Sequence, residues 1–165
     1  MAVELRPGRD EDAAGLIELI AGCWSEYPGC VMDVDGENPH LRRIASAYAG
    51  WGGRVWIAED AGQVVGSVGI VPAADPSVGE LRMLYVAKPA RRIGLGTRLL
   101  RVAEGEAARR AMTGIQLWSD TRFLDAHRFY ERHGYTRGPE TRELHDLSGS
   151  VEYFFSRDVP PAPGH

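Results

Sequence analysis

The chain has 165 residues, of which 44% are hydrophobic and 25% charged, with a formal net charge of -4. This balance is typical of a soluble globular domain, and a chain of this length can bury one core without metal ions or disulfide bonds. No apolar run approaches the roughly 18 residues of a membrane-spanning helix. The net negative charge argues against a dedicated nucleic-acid-binding domain.

No signal-peptide pattern opens the sequence, so we expect a cytoplasmic protein. We expect neither a nucleic-acid partner nor a membrane partner. The length favours a single domain over residues 1–159, and the Pro/Gly-rich residues 160–165 are predicted to form a disordered tail.

Cysteine and histidine are too sparse and scattered to indicate a metal site. Cys23 and Cys30 supply two thiols at most, and no CxxC or HExxH spacing adds further ligands. None of the five histidines stands four residues from another. We therefore expect no metal and two reduced thiols, with a regulatory disulfide as the alternative.

The first fifty residues predict a short strand and two helices. Val3 and Leu5 alternate with polar neighbours, which is typical of a strand. Apolar residues recur at helical spacing over 13–24 and again over about 39–48. The acidic segment 30–39 between these helices is predicted to be irregular.

The rest of the chain alternates strand-like and helix-like segments. Strands are predicted at 55–58, 64–71, 80–86, 115–118, from 135 onward and at 151–155, and helices at about 95–112 and 124–133. This order mixes hairpins with crossovers through a helix. It predicts the α/β class, with a mixed sheet and helices on both faces.

A basic turn, Arg91-Arg92-Ile93-Gly94-Leu95-Gly96, joins a predicted strand to a predicted helix. A helix N-terminus presents unpaired N–H groups that bind phosphate, and glycine allows a close approach of the backbone. The third glycine of a dinucleotide-binding fingerprint is absent, because Leu99 stands there, and no Gly-Lys-Ser/Thr of a P-loop follows. Taken alone, the turn could also be an ordinary strand-to-helix connection whose arginines are solvated and bind no phosphate.

Two further segments stand in a fixed order around this turn: Glu80-Leu81-Arg82-Met83-Leu84-Tyr85-Val86 before it, and residues 125–135 after it. The turn resembles the R/Q-x-x-G-x-G/A motif of the GNAT superfamily of acyl-CoA N-acyltransferases. The first segment resembles that family's E-L-x-x-L-Y-V strand, and the second resembles its A-x-x-[LF]-Y-x-x-x-G-[FY] helix. The resemblance extends over about residues 3–157. One departure is Phe123, which stands where many members have an asparagine that contacts the cofactor.

The resemblance implies both a fold and an activity. The fold is a largely antiparallel sheet of about seven strands, splayed at its central strands to admit acyl-CoA. The activity is transfer of an acetyl group from acetyl-CoA, the acyl-donor substrate, to a primary amine by direct attack in a ternary complex. We expect a small-molecule amine as the acceptor. A protein N-terminus or lysine, a non-catalytic acyl-CoA-binding module and a homodimer all stay open.

The resemblance also implies where acyl-CoA binds. The pyrophosphate is expected over backbone N–H groups from Arg92 to Thr97, and the pantetheine arm is expected along the strand near Leu84 and Val86. The complete set of expected cofactor-binding residues is Leu84, Tyr85, Val86, Arg91, Arg92, Ile93, Gly94, Leu95, Gly96, Thr97 and Phe129.

Glu80 is the candidate catalytic base. An amine must be neutral to attack a thioester, whereas a lysine-like amine has a pKa of about 10.4, so a proton acceptor would accelerate the reaction. Glu80 opens the strand where the family often places such a carboxylate, and we expect it to be buried among Leu81, Leu84 and Ile70. The alternative role is a structural partner of Arg82.

Tyr130 is the candidate partner of the leaving thiolate. It matches the tyrosine that serves this role in many family members. Full proton transfer would be uphill because free tyrosine, with a pKa of about 10, is a weaker acid than a thiol with a pKa of about 8.5. We therefore expect Tyr130 to stabilise the thiolate by donating a hydrogen bond. The alternative is a core tyrosine beside Phe129. The resemblance further implies that a backbone N–H near Val86 stabilises the oxyanion of the tetrahedral intermediate.

Two groups of charged residues bear on the acceptor, and the sequence leaves both open. The acidic segment 33–37, with Glu26 nearby, could attract a cationic amine or could be a solvated loop. Arg122, Arg142 and His145 could bind an acidic group of the acceptor or simply lie at the surface.

Overall fold

The computed structural model describes residues 2–161, and the tail predicted over 160–165 therefore lies mostly outside the described residues. Seven strands form one sheet: β1 (Glu4–Pro7), β2 (Arg54–Asp60), β3 (Gln63–Pro72), β4 (Val78–Val86), β5 (Gly114–Asp120), β6 (Thr136–Glu143) and β7 (Val151–Asp158). The α-helices are α1 (Ala13–Trp24), α2 (Val34–Glu37), α3 (Ile44–Gly50), α4 (Leu95–Arg109) and α5 (Leu124–Arg132). None of the helices within residues 2–161 is long and apolar enough to cross a membrane.

The strands follow the order β1-β2-β3-β4-β5-β7-β6. The pairing of β4 with β5 is parallel, and every other pairing of neighbouring strands is antiparallel. The predicted mixed, largely antiparallel sheet of seven strands is therefore confirmed. The crossover through α4 accounts for the parallel pair, because parallel strands need a long connection.

Each face of the sheet carries its own hydrophobic core. The first core packs α4 and α5 against the sheet, and it buries the predicted stripe Leu95, Leu99, Ala103 and Ala107. The second core packs α1, α3 and the 3-10 helix Pro39–Arg43 against the other face. Helices thus cover both faces, as the sequence predicts.

Three predicted boundaries are wrong, each for a local reason. The segment 30–39 is not wholly irregular, because the Asp33 side chain accepts a hydrogen bond from the Gly36 N–H (2.9 Å) and starts the short helix α2. The helix predicted over 39–48 is a 3-10 turn followed by α3, interrupted at Arg43, where φ is -146°. The helix predicted to reach residue 112 ends at Arg109, since Ala111 has a φ of +58°.

The centre of the sheet is split. β4 and β5 pair at only three positions, from Val78↔Gly114 to Glu80↔Gln116, although β4 continues to residue 86 and β5 to residue 120. Beyond Glu80 the edge of β4 that faces β5 therefore has no strand partner. This is the splay that the resemblance implies.

A β-bulge lies next to the splay. On β3 and β4, Gly69 pairs with Arg82 and Ser67 with Tyr85, so two residues of β4 stand opposite one residue of β3, and Met83 takes a φ of +56°. One extra residue reverses the alternation of side chains along a strand. As a result, Met83 and Tyr85 pack on the α1 face, whereas Leu84 packs on the α4 face.

Candidate active site

The glycine turn lies at the N-terminus of α4, beside the splayed end of β4. Gly94 is the N-cap residue with a φ of +78°, and Arg92 also has a positive φ, +68°. The N–H groups of Leu95, Gly96 and Thr97 precede the first backbone bond of the helix and have no intrahelical acceptor. These groups, together with the helix dipole, are suited to bind an anion.

Gly96 allows a close contact between this turn and α5. A β-carbon added at Gly96 would lie 3.3 Å from the Phe129 ring and 3.9 Å from Val86 Cγ2. Residues from three separate predicted motifs therefore meet at one corner of the molecule. The expected cofactor-binding residues are brought together, although their contact with acyl-CoA stays a prediction.

The two arginines of the turn differ in their surroundings. The Arg91 guanidinium forms two hydrogen bonds with the Glu26 carboxylate (2.6 and 2.7 Å), and its Nε donates to the Val86 carbonyl (3.0 Å). Arg91 thereby holds the pKa of Glu26 below its usual range. Arg92 is exposed and forms no ion pair with any residue of the described chain. Arg92 is therefore the arginine whose charge is uncompensated at this corner.

A histidine that the sequence analysis did not single out connects α4 and α5. His133 Nδ1 lies 2.8 Å from the Phe129 carbonyl oxygen, and its Nε2 lies 3.0 Å from Thr97 Oγ1. Because the carbonyl can only accept, Nδ1 carries a hydrogen, and in neutral imidazole Nε2 then accepts from the Thr97 hydroxyl. No sequence signal beyond the helix motif points to this contact.

Tyr130 lies on the buried side of α5, where it is only 8% exposed. The centroids of the Phe129, Tyr135 and Phe155 rings lie within 6 Å of its own. Among residues 2–161 its hydroxyl makes no hydrogen bond, and this atom is not one of the fully buried polar atoms that lack a partner, so it is at least slightly accessible. Burial raises the pKa of Tyr130, so the side chain stays neutral and can donate a hydrogen bond to an anion.

Glu80 is also 8% exposed, but its surroundings differ from those predicted. Its Oε2 pairs with Arg82 (2.6 Å) and its Oε1 accepts from Gln116 Nε2 (3.1 Å). The predicted apolar neighbours belong to the opposite core, because alternation along β4 places Leu81 and Glu80 on different faces. Glu80 thus lies in the last residue pair before the splay, with both carboxylate oxygens hydrogen-bonded.

A cleft of about 380 Å³ lies on the α1 face of the splay. Its lining comes from α1 and the segment after it, from β4, β5 and β7, and from the β6–β7 loop. The lining residues are Trp24, Cys30, Glu37, Asn38, Tyr85, Asp120, Phe123, Leu144, His145, Asp146, Ser148, Ser150 and Glu152.

Two loops meet across this cleft. The Val31 N–H donates to Ser148 Oγ (2.7 Å), and the Leu147 N–H donates to Glu37 Oε2 (2.9 Å). These contacts join the end of α2 and the segment before it to the β6–β7 loop. Glu37 and Ser148 both line the cleft, and we refer to these two contacts as the roof of the cleft.

Aromatic side chains form much of the cleft wall. Trp24 Nε1 donates to the Tyr85 hydroxyl (2.9 Å), and Phe123 packs against Tyr27 with ring centroids 4.7 Å apart. Tyr85, which the sequence places in the cofactor set, therefore presents its side chain to the cleft. Phe123, at the position of the usual asparagine, lines the same cleft.

The charged residues weighed in the sequence analysis are mostly paired. Arg122 binds Asp120 through two hydrogen bonds (2.8 and 2.7 Å), and Arg142 binds Glu152 (2.8 Å). Of the acidic segment 33–37, only Glu37 lines the cleft. Each arginine already pairs with a carboxylate of the cleft, and neither arginine is among the lining residues.

Two further observations bear on other kinds of site. Among residues 2–161, no group of three or more His, Cys, Asp or Glu is arranged to hold a metal ion, and both cysteines are free thiols. A second depression of about 640 Å³ lies at the paired end of β4 and β5, near Val78 and Gly114. It includes neither the glycine turn nor Tyr130, so it is separate from the splay.

Comparisons with known proteins agree with this geometry. Residues 51–137 match the family described as "Acetyltransferase (GNAT) domain". The chain is 32% identical over 83 residues to "Probable N-acetyltransferase 14" of Xenopus tropicalis, covering 50% of this chain and 40% of that protein. It is 28% identical over 158 residues to "Probable N-acetyltransferase family 8 member 5" of Mus musculus, covering 91% of this chain and 67% of that protein.

Solved structures show the same fold. A GNAT acetyltransferase from Staphylococcus aureus Mu50 superposes with a TM-score of 0.83 at 22% identity, covering 96% of this chain and 100% of that chain. The yncA protein of Salmonella typhimurium, solved with its cofactor acetyl-CoA, gives 0.74 at 17% identity, with 99% and 98% covered. The fold and the split sheet thus define an acetyltransferase-type domain. Because the family match spans more than half of its length, the chain belongs to the GNAT acetyltransferase family.

Proposed function

We propose that the protein is an acetyl-CoA-dependent N-acetyltransferase that acts on a primary amine of a small molecule. The observation that carries the proposal is the roofed cleft of about 380 Å³ on one face of the splay. The glycine turn follows β4, the strand that contributes Tyr85 to this cleft. A donor bound at the turn and an acceptor bound in the cleft would then meet at the splay of β4 and β5.

The proposed donor site rests on backbone groups. The N–H groups at the start of α4 and the positive charge of Arg92 would bind the pyrophosphate of acetyl-CoA. The unpaired edge of β4 near Leu84 and Val86 would hydrogen-bond the pantetheine arm in the manner of an added strand. The S. typhimurium relative and the coenzyme A complex of PaiA N-acetyltransferase from Thermoplasma acidophilum support this donor.

The proposed reaction is direct attack. The protonated acceptor first loses one proton to a base, for which we propose Glu80, reached through water. The amine nitrogen then forms a bond to the acetyl carbon, and the C–S bond breaks with its electron pair on sulfur. The second amine proton passes to the thiolate, which Tyr130 stabilises by donating a hydrogen bond. The products are the acetamide and coenzyme A, with one proton released to solvent.

The size of the acceptor follows from the roof. A protein N-terminus or lysine needs an open groove for the flanking chain, whereas the Val31–Ser148 and Glu37–Leu147 contacts join two segments that border the cleft. A volume of about 380 Å³ lies near the lower end of the range of small-molecule sites. A small amine is therefore favoured over a protein acceptor.

A thiol-release assay with acetyl-CoA and a panel of small amines tests the proposal. We expect thiol release that depends on the amine and an acetylated product that mass spectrometry identifies. Turnover with peptide N-termini or lysine peptides but with none of the small amines would overturn the small-molecule acceptor. Binding of acetyl-CoA with no turnover on either panel would leave the non-catalytic module as the answer. Cytoplasmic location and the homodimer stay predictions.

A further inference from the structure

The carboxylates that line the acceptor cleft are not equally available to a ligand. Both oxygens of Asp120 accept hydrogen bonds from Arg122, at 2.8 and 2.7 Å. Both oxygens of Asp146 accept hydrogen bonds from Ser150, one from its N–H and one from its hydroxyl. Each oxygen of these two carboxylates thus already accepts a hydrogen bond from the protein, and these contacts fix the local structure.

Glu152 has one oxygen free. Its Oε1 accepts a single hydrogen bond from Arg142 Nε (2.8 Å), and within residues 2–161 no group donates to its Oε2. Only 15% of its side chain is exposed. A carboxylate oxygen accepts two or more hydrogen bonds when it is fully satisfied. Glu152 therefore has unused accepting capacity in a partly enclosed place.

The position of Glu152 suits contact with the reacting amine. It stands opposite Asp120 in the β5–β7 pairing, on the strand next to the splay, and it lines the same cleft as Tyr85. Burial raises the pKa of Glu152, although the hydrogen bond from Arg142 lowers it in part. Glu80 does not line the cleft, so the two carboxylates occupy different places relative to an acceptor.

The cleft offers few positive charges to an acceptor that carries a carboxylate. No arginine is among its lining residues, and the two arginines that pair with its carboxylates are Arg122, bound to Asp120, and Arg142, bound to Glu152 through Nε. His145 is the one basic residue among those that line the cleft, and its side chain is 82% exposed. An acceptor with a carboxylate beside its amine would meet negative charge without a free cation to balance it.

We propose that Glu152 binds the ammonium group of the acceptor through Oε2 and that the cleft selects amines with no carboxylate beside the reacting nitrogen. This inference rests on the proposed function and narrows its acceptor class. Glu152 acts here as a specificity-determining residue, and the base that removes the proton is a separate question. Glu37 also has one oxygen, Oε1, to which no group within residues 2–161 donates, but its Oε2 accepts from the Leu147 N–H of the roof. We assign the ammonium group to Glu152 because Glu152 lies on the strand next to the splay.

Pairs of amines that differ only by that carboxylate provide the test: phenethylamine with phenylalanine, cadaverine with lysine, and agmatine with arginine. For at least one pair, we expect the wild-type kcat/KM to be at least about tenfold higher for the amine than for the amino acid. Glu152→Gln should lower kcat/KM for that amine by about 10- to 100-fold, the range of a charge-assisted hydrogen bond, mainly through KM. Glu152→Asp should retain the preference. The matched control is Glu140→Gln on β6, an exposed carboxylate outside the cleft.

A second measurement does not depend on turnover. The same pairs are titrated into the protein saturated with coenzyme A, with the thermal unfolding midpoint and calorimetry as readouts. Amines that bind to the wild type, but not to Glu152→Gln, without being acetylated would support the role of Glu152 and overturn the proposed function. Acetylation of amino acids at least as fast as of their amines, or an unchanged KM in a folded Glu152→Gln, would overturn the inference alone. No binding and no acetylation of any of the six compounds would overturn both.

Discussion

The corner formed by the glycine turn and the acceptor cleft are built in opposite ways. The corner uses backbone N–H groups from one continuous stretch, residues 92–97, and its geometry follows from a helix N-terminus after a glycine. The cleft uses side chains that lie between positions 24 and 152 of the sequence. Backbone groups present the same chemistry whatever side chains are attached, whereas a cleft of side chains changes with each substitution.

This difference separates the expected effects of substitutions in the two regions. Changes at the corner should act on acetyl-CoA, changes at the splay should act on turnover, and changes in the cleft should act on the acceptor alone. A substitution in one region that changed the parameter expected for another would show that these regions are not independent.

The largest effect is expected from Gly96→Val. A β-carbon added at this position would lie 3.3 Å from the Phe129 ring, and the two methyl groups of valine would crowd the N–H groups of α4. We expect the Kd for acetyl-CoA to rise by at least about 100-fold in calorimetry, the cost of losing two or more charge-assisted hydrogen bonds. Gly105→Val on the same helix is the control, because a β-carbon there meets nothing within 4 Å. If Gly96→Val bound as tightly as the wild type, the pyrophosphate assignment would be wrong.

The next effect concerns the splay. Tyr130→Phe keeps the ring and removes the donor, so we expect kcat to fall by about 10- to 100-fold, or roughly 1.4–2.7 kcal/mol, with acetyl-CoA affinity nearly unchanged. Steady-state kinetics with any accepted amine provide the measurement. Tyr48→Phe, a buried tyrosine on the opposite face, is the matched control. Full turnover in Tyr130→Phe would remove this residue from the mechanism.

Glu80→Gln tests whether this carboxylate removes a proton or only holds Arg82 and Gln116. As a base, it matters most when the amine is protonated, so we expect kcat/KM to fall by about tenfold at neutral pH and by less at alkaline pH. The pH profile from pH 6.5 to about 10 distinguishes the two roles. A loss that is uniform across pH would assign Glu80 to structure.

The smallest effect is expected at the roof of the cleft. Ser148→Ala removes the hydrogen bond from the Val31 N–H, worth about 1 kcal/mol, so the acceptor KM should rise by about two- to fivefold. The Kd for acetyl-CoA should not change. Ser77→Ala, in the turn before β4, is the control. An altered Kd for acetyl-CoA in Ser148→Ala would mean that the roof also holds the donor.

The sequence was sufficient where the determining contacts are local. Leu95, Leu99, Ala103 and Ala107 fall on one face of a helix because the helical repeat places every third or fourth residue there, and all four are buried. The glycine turn is readable because a positive φ at Gly94 and the start of a helix are properties of a few adjacent residues. Motif order then indicated the splayed sheet.

A carboxylate directly before a run of three aromatic residues was the signal that could have identified Glu152. It precedes Tyr153, Phe154 and Phe155 on β7, and an isolated carboxylate in such a strand is either paired or functional. The pairing partner and the free oxygen could not be predicted, because Arg142 reaches Glu152 only through the register of β6 with β7.

The amino-acid sequence by itself determined the two cores, the glycine turn and the family motifs, because periodicity and capping act between residues a few positions apart. Tertiary structure decided which side chains face the acceptor. The bulge at Met83 turned Tyr85 into the cleft, and Arg91 met Glu26 from 65 positions away. Strand register and long-range ion pairs depend on how the whole sheet and its helices pack, and that information is not contained in any single segment.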